Sequence, residues 1–254
     1  MSVIAITLFA LACADLARSG DRARGRVVAV VVAVLATVLG VFLVGAASGT
    51  ELGLLVVGLA TVIGWVVATA REQRTRFDYG LPLGVLAVGL VVQLIALRWV
   101  SPAANGGLLG RWVDGVALSV GPVDSGTVLL VVALMLAQVS TANIVVRLVL
   151  ASVGALKPVG QPQASDRLRG GRLLGPMERL LILGLGLAGQ PTAAGLVIAA
   201  KGLIRFPELQ AQARIGRGTG KEPGIDELTE YFLIGSFVSW LFALASLAFI
   251  RVFA

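Results

Sequence analysis

Lys201 and Arg205 stand four residues apart in an apolar stretch, so on a helix they share one face. Two cations on one face repel unless an anion or a carboxylate lies between them. Glu178 and Arg179 open the apolar stretch before them, and Glu230 and Tyr231 open the stretch after them. If all three stretches are helices entering from one side, three basic and two acidic groups meet at one mouth. Two chemistries fit that set. One is an anion site, for a phospholipid headgroup or a phosphorylated substrate, clamped by Lys201, Arg205 and Arg179. The other is an interhelical ion-pair network in which Glu178 and Glu230 hold Lys201 and Arg205, with snorkelling of Lys201 to the interface as a further structural role.

Catalytic and metal-binding patterns are missing. The chain has no histidine and one cysteine, Cys13, which removes the commonest metal ligand and any internal disulfide. No phosphate-binding loop or nucleophile elbow is present, so no catalytic residue, metal site or cofactor is expected. Gly184, Gly186 and Gly189 spell G-x-G-x-x-G, but inside an apolar run without the strand that a dinucleotide site needs. Their expected role is close helix packing, matched on the next stretch by Gly195 and Ala199 at small-xxx-small spacing. Asp15, Gln138 and Asn143 are the remaining polar groups in apolar surroundings. Asp15 is most simply paired with Arg18 or another loop arginine, and the two amides with neighbouring helices.

The elements that carry these residues are set by composition. Hydrophobic residues make up 57% of 254 and charged ones 14%, against about a quarter charged in a soluble domain. The segments Val27 to Ser48 and Leu52 to Ala70 run on without a charge, and about 20 apolar residues match the roughly 30 Å hydrocarbon core of a bilayer. Period-2 alternation is absent, which favours helices over a barrel. The net charge of +7 lies in short loops between these runs, where it reads as orientation by the positive-inside rule and not as nucleic-acid binding.

The fold expected is therefore all-α, a polytopic transmembrane bundle of about eight membrane segments in a bacterial plasma membrane. Residues 1–155 hold about five helices, 156–172 a basic cytoplasmic loop, and 173–254 a helical hairpin, a polar loop from Pro207 to Glu230 and a last helix. The hairpin is inferred from charge. Both loops flanking the stretch from Leu173 to Phe206 are basic, so both belong in the cytoplasm, and a break near Gly189 to Pro191 returns the chain to that side. Pro191 suits the first turn of the second arm. Every basic loop then falls on one side, with both termini outside.

The C-terminal third reads GRLLGPMERLLILGLGLAGQPTAAGLVIAAKGLIRFPEL and then DELTEYFLIGSFVSW. From Gly171 to Trp240 it resembles the bacterial membrane proteins grouped as domain of unknown function 3307. The shared features are a Gly-x-x-Glu-Arg helix start, here Gly175 or Pro176 with Glu178-Arg179, an Ala199-Ala200-Lys201 run followed by Arg205-Phe206, and a segment from Glu230-Tyr231 to Ser236. The N-terminal His and Asp motif of other members is absent. The resemblance implies a membrane setting and no particular activity. The expectation is a non-enzymatic protein that transports or binds a small anionic or amphipathic molecule, or is a membrane-embedded subunit. Its partners would be the phospholipid bilayer, an anionic lipid, a second copy or another subunit. The alternative is a lipid-processing enzyme with a polar site at the cytoplasmic face.

Overall fold

The computed structural model describes residues 1–18, 22–46, 48–70, 79–100, 107–115, 124–155, 171–216 and 225–253, with side chains described except at 22–23, 171–173, 204–216 and 225–228. Among the described residues there are ten α-helices and no strand. They are α1 (Ser2–Leu16), α2 (Arg22–Val44), α3 (Gly49–Thr69), α4 (Gly80–Ala96, prolonged by a 3-10 turn Leu97–Trp99), α5 (Leu108–Gly115), α6 (Ser125–Val139), α7 (Thr141–Ser152), α8 (Gly171–Leu187), α9 (Pro191–Gly216) and α10 (Ile225–Phe253). Four helical stretches are long and apolar enough to cross a membrane: Arg24–Val44, Gly49–Thr69, Gly80–Trp99 and Thr229–Phe253. A fifth is reached if the bent pair α6 and α7 is one span.

Their outward faces are apolar too. Val27, Val31, Leu35 and Phe42 of α2, and Val88, Val91 and Ile95 of α4, are all more than half exposed. Aliphatic faces of this extent do not face water in a stable monomer, whereas they match hydrocarbon.

The chain divides into two compact units, residues 1–141 with 249–254, and residues 142–248. In the first, α1 is the core element, packed by α2, α3, α4 and α6. It is apolar on every side and buried nearly throughout, from Ser2 to Asp15, as expected of a helix enclosed by others. Helix α3 starts on a capping box. Ser48 Oγ accepts from the Glu51 amide, and the Glu51 carboxylate accepts from the Ser48 amide at 3.1 Å, which satisfies two amides left open at a helix start. Deeper in, Gln93 of α4 is fully buried and donates to Thr7 Oγ1 of α1 at 3.0 Å. Small residues allow this: a Cβ at Gly58 would overlap Thr7 and Gln93, and one at Gly89 would overlap Thr61.

In the second unit, α8 and α9 form an antiparallel hairpin. Ile182, Ala194 and Ala243 of α10 make its dry centre, with Leu185, Val197, Ile198 and Trp240 around them. Gly189 closes α8 at φ +74°, a conformation that a Cβ would strain. The Gln190 amide donates to Leu185 O at 2.8 Å and the Gly189 amide to Gly186 O at 3.2 Å, the Schellman pattern of a glycine-terminated helix. Pro191 then opens α9.

Several boundaries differ from the sequence expectation. The predicted fifth helix is broken at Ser140, whose hydroxyl donates to Ala12 O and Leu136 O, both at 3.1 Å. The glycine-rich stretch after Val100 contains the short helix α5. Helix α9 runs past Pro207 to Gly216, because Glu-Leu-Gln-Ala-Gln-Ala-Arg after the proline is strongly helix-forming and outweighs one lost amide bond. The small-residue roles also separate. Gly186 packs against the Leu247 side chain, but a Cβ at Gly184 or Gly195 would meet nothing within 4 Å, and Ala199 is exposed. The hairpin arms meet through Ile182 and Ala194 instead.

Gly89 and Gly84 lie on the same helix, yet only Gly89 is closed in by a neighbour. Gly89→Ala is expected to cost about 1–3 kcal/mol by overpacking, while Gly84→Ala leaves stability unchanged or raised. Thermal unfolding of both variants in detergent, followed by tryptophan fluorescence, checks this.

Candidate functional site

Two polar clusters interrupt the apolar interior, one in each unit. In the second unit, Glu178 and Arg179 are neighbours on α8, and Lys201 projects from α9. Lys201 Nζ donates to Glu178 Oε2 in a close ion pair. Their side chains keep 19% and 13% of their surface, so the pair is enclosed without being sealed. The ammonium also lies 5.8 Å from the centroid of Phe232 and 5.7 Å from that of Trp240, both on α10, within the range of cation–π attraction. Arg179 is deeper, with 2% of its surface left. It donates to Ser239 Oγ at 2.8 Å and to Asn143 Oδ1, and the Glu178 carboxylate adds its field.

Desolvating a guanidinium costs several kcal/mol, offset only where its N–H groups find acceptors. That requirement explains the helix order: α7 supplies Asn143, α10 supplies Ser239, and α8 carries the charge between them. The indole nitrogen of Trp240 is buried and has no acceptor among the described residues, so a hydrogen-bond donor stands unused beside an ammonium. Glu230 is exposed and makes no ion pair among the described residues. The Arg205 side chain lies outside the described residues.

In the first unit, Asp15 is buried with its side chain fully enclosed. Trp65 Nε1 donates to both carboxylate oxygens at 3.1 and 3.2 Å, and Thr141 Oγ1 donates to Oδ2 at 2.7 Å. Arg18 Nη2 lies 2.9 Å from Oδ1, and its Nη1 donates to Thr69 Oγ1 at 2.7 Å. Burial draws the Arg18 guanidinium below its ordinary pKa, and the Asp15 charge pulls it back. Here one cation matches one anion, both carboxylate oxygens are engaged, and the buried Arg18 Nε has no acceptor among the described residues. The work of this cluster is to tie α1, α3 and the start of α7 together.

Among the described residues, no three His, Cys, Asp or Glu side chains gather. Of the residues singled out from sequence, Glu178, Arg179 and Lys201 come together, and Asn143 joins them. Trp240, Phe232 and Ser239 were not anticipated, nor were Trp65 and Thr141 around Asp15. A signal for the first three exists in Phe232, Ser236, Ser239 and Trp240, whose spacing marks one face of α10. No comparable pattern links Asp15 to Trp65 or Thr141, which are far away in the chain.

No family model matches the chain, and neither does any curated protein or solved structure. The fold and clusters define a helical protein with four or five stretches of membrane-crossing length and, among the described residues, two enclosed charged clusters.

Removing one member of the Asp15–Arg18 pair strands the other in enclosed surroundings. Asp15→Ala is expected to destabilise by about 3–5 kcal/mol. Adding Arg18→Ala should then cost less than it does alone, with a coupling of about 1–3 kcal/mol. Unfolding midpoints of the two single variants and the double variant in detergent measure that coupling.

Proposed function

We propose that this chain is a bacterial plasma-membrane protein that binds or transports a small anionic or amphipathic molecule at the Glu178–Arg179–Lys201 cluster. The observation that carries the reading is a Glu178–Lys201 ion pair that stays partly open in apolar helices, close to the Trp240 ring whose indole N–H has no acceptor among the described residues. Charged groups carried into such helices mark a functional site.

The membrane arrangement belongs to the same proposal. Eight segments (α1, α2, α3, α4, the α6–α7 pair, α8, α9 and α10) put every basic loop in the cytoplasm and both termini outside. Supporting this are the apolar outward faces and the glycine-closed hairpin turn. The C-terminal third is proposed as a relative of the domain of unknown function 3307 proteins, on the residues quoted above.

Mass spectrometry of molecules that co-purify with the chain tests the function. An anionic amphiphile is expected with the wild type and depleted at least fivefold in Lys201→Gln. Equal retention of the same molecules by both proteins would remove the site reading. A charge swap separates the structural alternative. If Glu178→Lys with Lys201→Glu restores both stability and ligand retention, the pair is only a lock; the proposal expects stability to recover and retention to be lost. For topology, a cysteine introduced at Gly220 on a Cys13→Ser background should resist impermeant maleimide in intact cells. Rapid labelling from outside would overturn the eight-segment arrangement.

A further inference from the structure

We infer that α5 is a membrane-surface helix, with Leu108 and Trp112 entering the lipid at the level where α2 ends and Arg111 and Asp114 facing water. The inference rests on the membrane setting of the apolar helices and not on the Lys201 cluster. Three observations lead there. First, α5 presents three different sides. It packs on α2 and α6, and Gly110 and Val113 are the residues it buries. Leu108 and Trp112, four residues apart and so on one face, are both more than half exposed. Arg111 and Asp114, three apart, are exposed on another face. Packing against the bundle accounts for the glycine and the valine, but it gives no reason for an exposed leucine and tryptophan side by side.

Second, the fold puts α5 at one end of the apolar helices. A Cβ at Gly107 would overlap the Leu43 carbonyl, so the chain entering α5 rests on the last turn of α2. The apolar outward face of α2 runs as far as Phe42, one residue before that contact. Helices α3 and α4 are antiparallel, since Gln93 donates to Leu54 O at 3.4 Å while Gly89 is closed in by Thr61. Trp99 therefore comes to the level of Gly49, at the end where α2 stops and α3 starts, and it too is exposed. Two exposed tryptophans at one end of apolar helices match the aromatic belt of a membrane interface. Third, the eight residues of α5 reach about 12 Å at 1.5 Å per residue, far short of a roughly 30 Å core. A short helix with separate apolar and charged sides at that level lies along the interface. Lipid is the occupant because the Leu108–Trp112 face begins where the hydrocarbon-matching face of α2 ends.

The test places a nitroxide on single cysteines in the full chain, on a Cys13→Ser background, in vesicles of phosphatidylcholine and phosphatidylglycerol. Collision with oxygen, which collects in lipid, is compared with collision with a water-soluble nickel chelate. Leu108→Cys and Trp112→Cys should show an oxygen-to-nickel ratio several-fold above that of Arg111→Cys and Asp114→Cys. Val88→Cys, on the exposed face of α4, is the reference for lipid contact. Equal, low ratios at all four α5 positions put the helix in water and overturn the inference. Weak collision with both reagents at Leu108→Cys and Trp112→Cys means that protein, from this chain or a second copy, covers the face, and overturns it too. If Val88→Cys itself favours the nickel chelate, the membrane setting fails and not α5 alone. A label-free measurement guards against perturbation by the nitroxide. The Trp112 emission, taken as wild type minus Trp112→Phe, should be quenched more by lipid brominated near its ester groups than by lipid brominated at its chain ends. Quenching by neither lipid overturns the inference.

Discussion

In helices as apolar as α2, α3 and α4, the backbone has no hydrogen-bonding solvent to turn to, so each amide and carbonyl must be satisfied within its own segment or at its ends. The ends therefore carry much of the specificity: the Ser48–Glu51 box at the start of α3 and the Gly189 closure of α8 both place polar backbone groups on partners supplied by the chain itself. Side chains meet the same demand. A polar group carried into such helices needs a partner on another helix, and Gln93 with Thr7, Asp15 with Trp65, and Arg179 with Ser239 all answer it. Packing between apolar faces supplies contact area, but these cross-links decide which helix lies beside which.

The two charged clusters meet that demand differently. Around Asp15, both carboxylate oxygens are engaged, by Trp65, Thr141 and Arg18, while Arg18 Nε finds no acceptor among the described residues. Around Lys201, the ion pair is incompletely covered, and the Trp240 indole N–H likewise lacks an acceptor there. The residue types are similar in both places. What separates them is the enclosure of the carboxylate: Asp15 is sealed, whereas Glu178 keeps part of its surface.

The apolar runs and the hairpin break were legible in the sequence because hydrocarbon thickness and proline–glycine chemistry act locally, over one segment at a time. The break at Ser140 was not: Ser140, Thr141 and Asn143 are weak helix formers, but such residues also occur within unbroken apolar helices, and the Ser140 hydroxyl finds its partner on α1 far along the chain. The enclosure of α1 was equally hidden, because an apolar 15-residue helix reads the same whether lipid or protein surrounds it. At the candidate site, Glu178, Arg179 and Lys201 were legible from charge in apolar context. Asn143 stood out as a polar residue in apolar surroundings, expected to bond a neighbouring helix. Trp240 and Phe232 looked like ordinary apolar-helix aromatics until the fold placed them against an ammonium.

The hairpin register also sets where the Glu178–Lys201 pair lies. Eleven residues separate Glu178 from Gly189, and eleven separate Gln190 from Lys201, so the pair lies at equal depth on both arms, about 16 Å from the turn. Gly189, Gln190 and Thr192 are exposed, and polar turn residues of this kind belong at an interface. With the turn there, the proposed cluster lies near the middle of a roughly 30 Å hydrocarbon core. In that proposed arrangement the Lys201 ammonium is too far from either interface to snorkel to water, so the Glu178 carboxylate meets its charge.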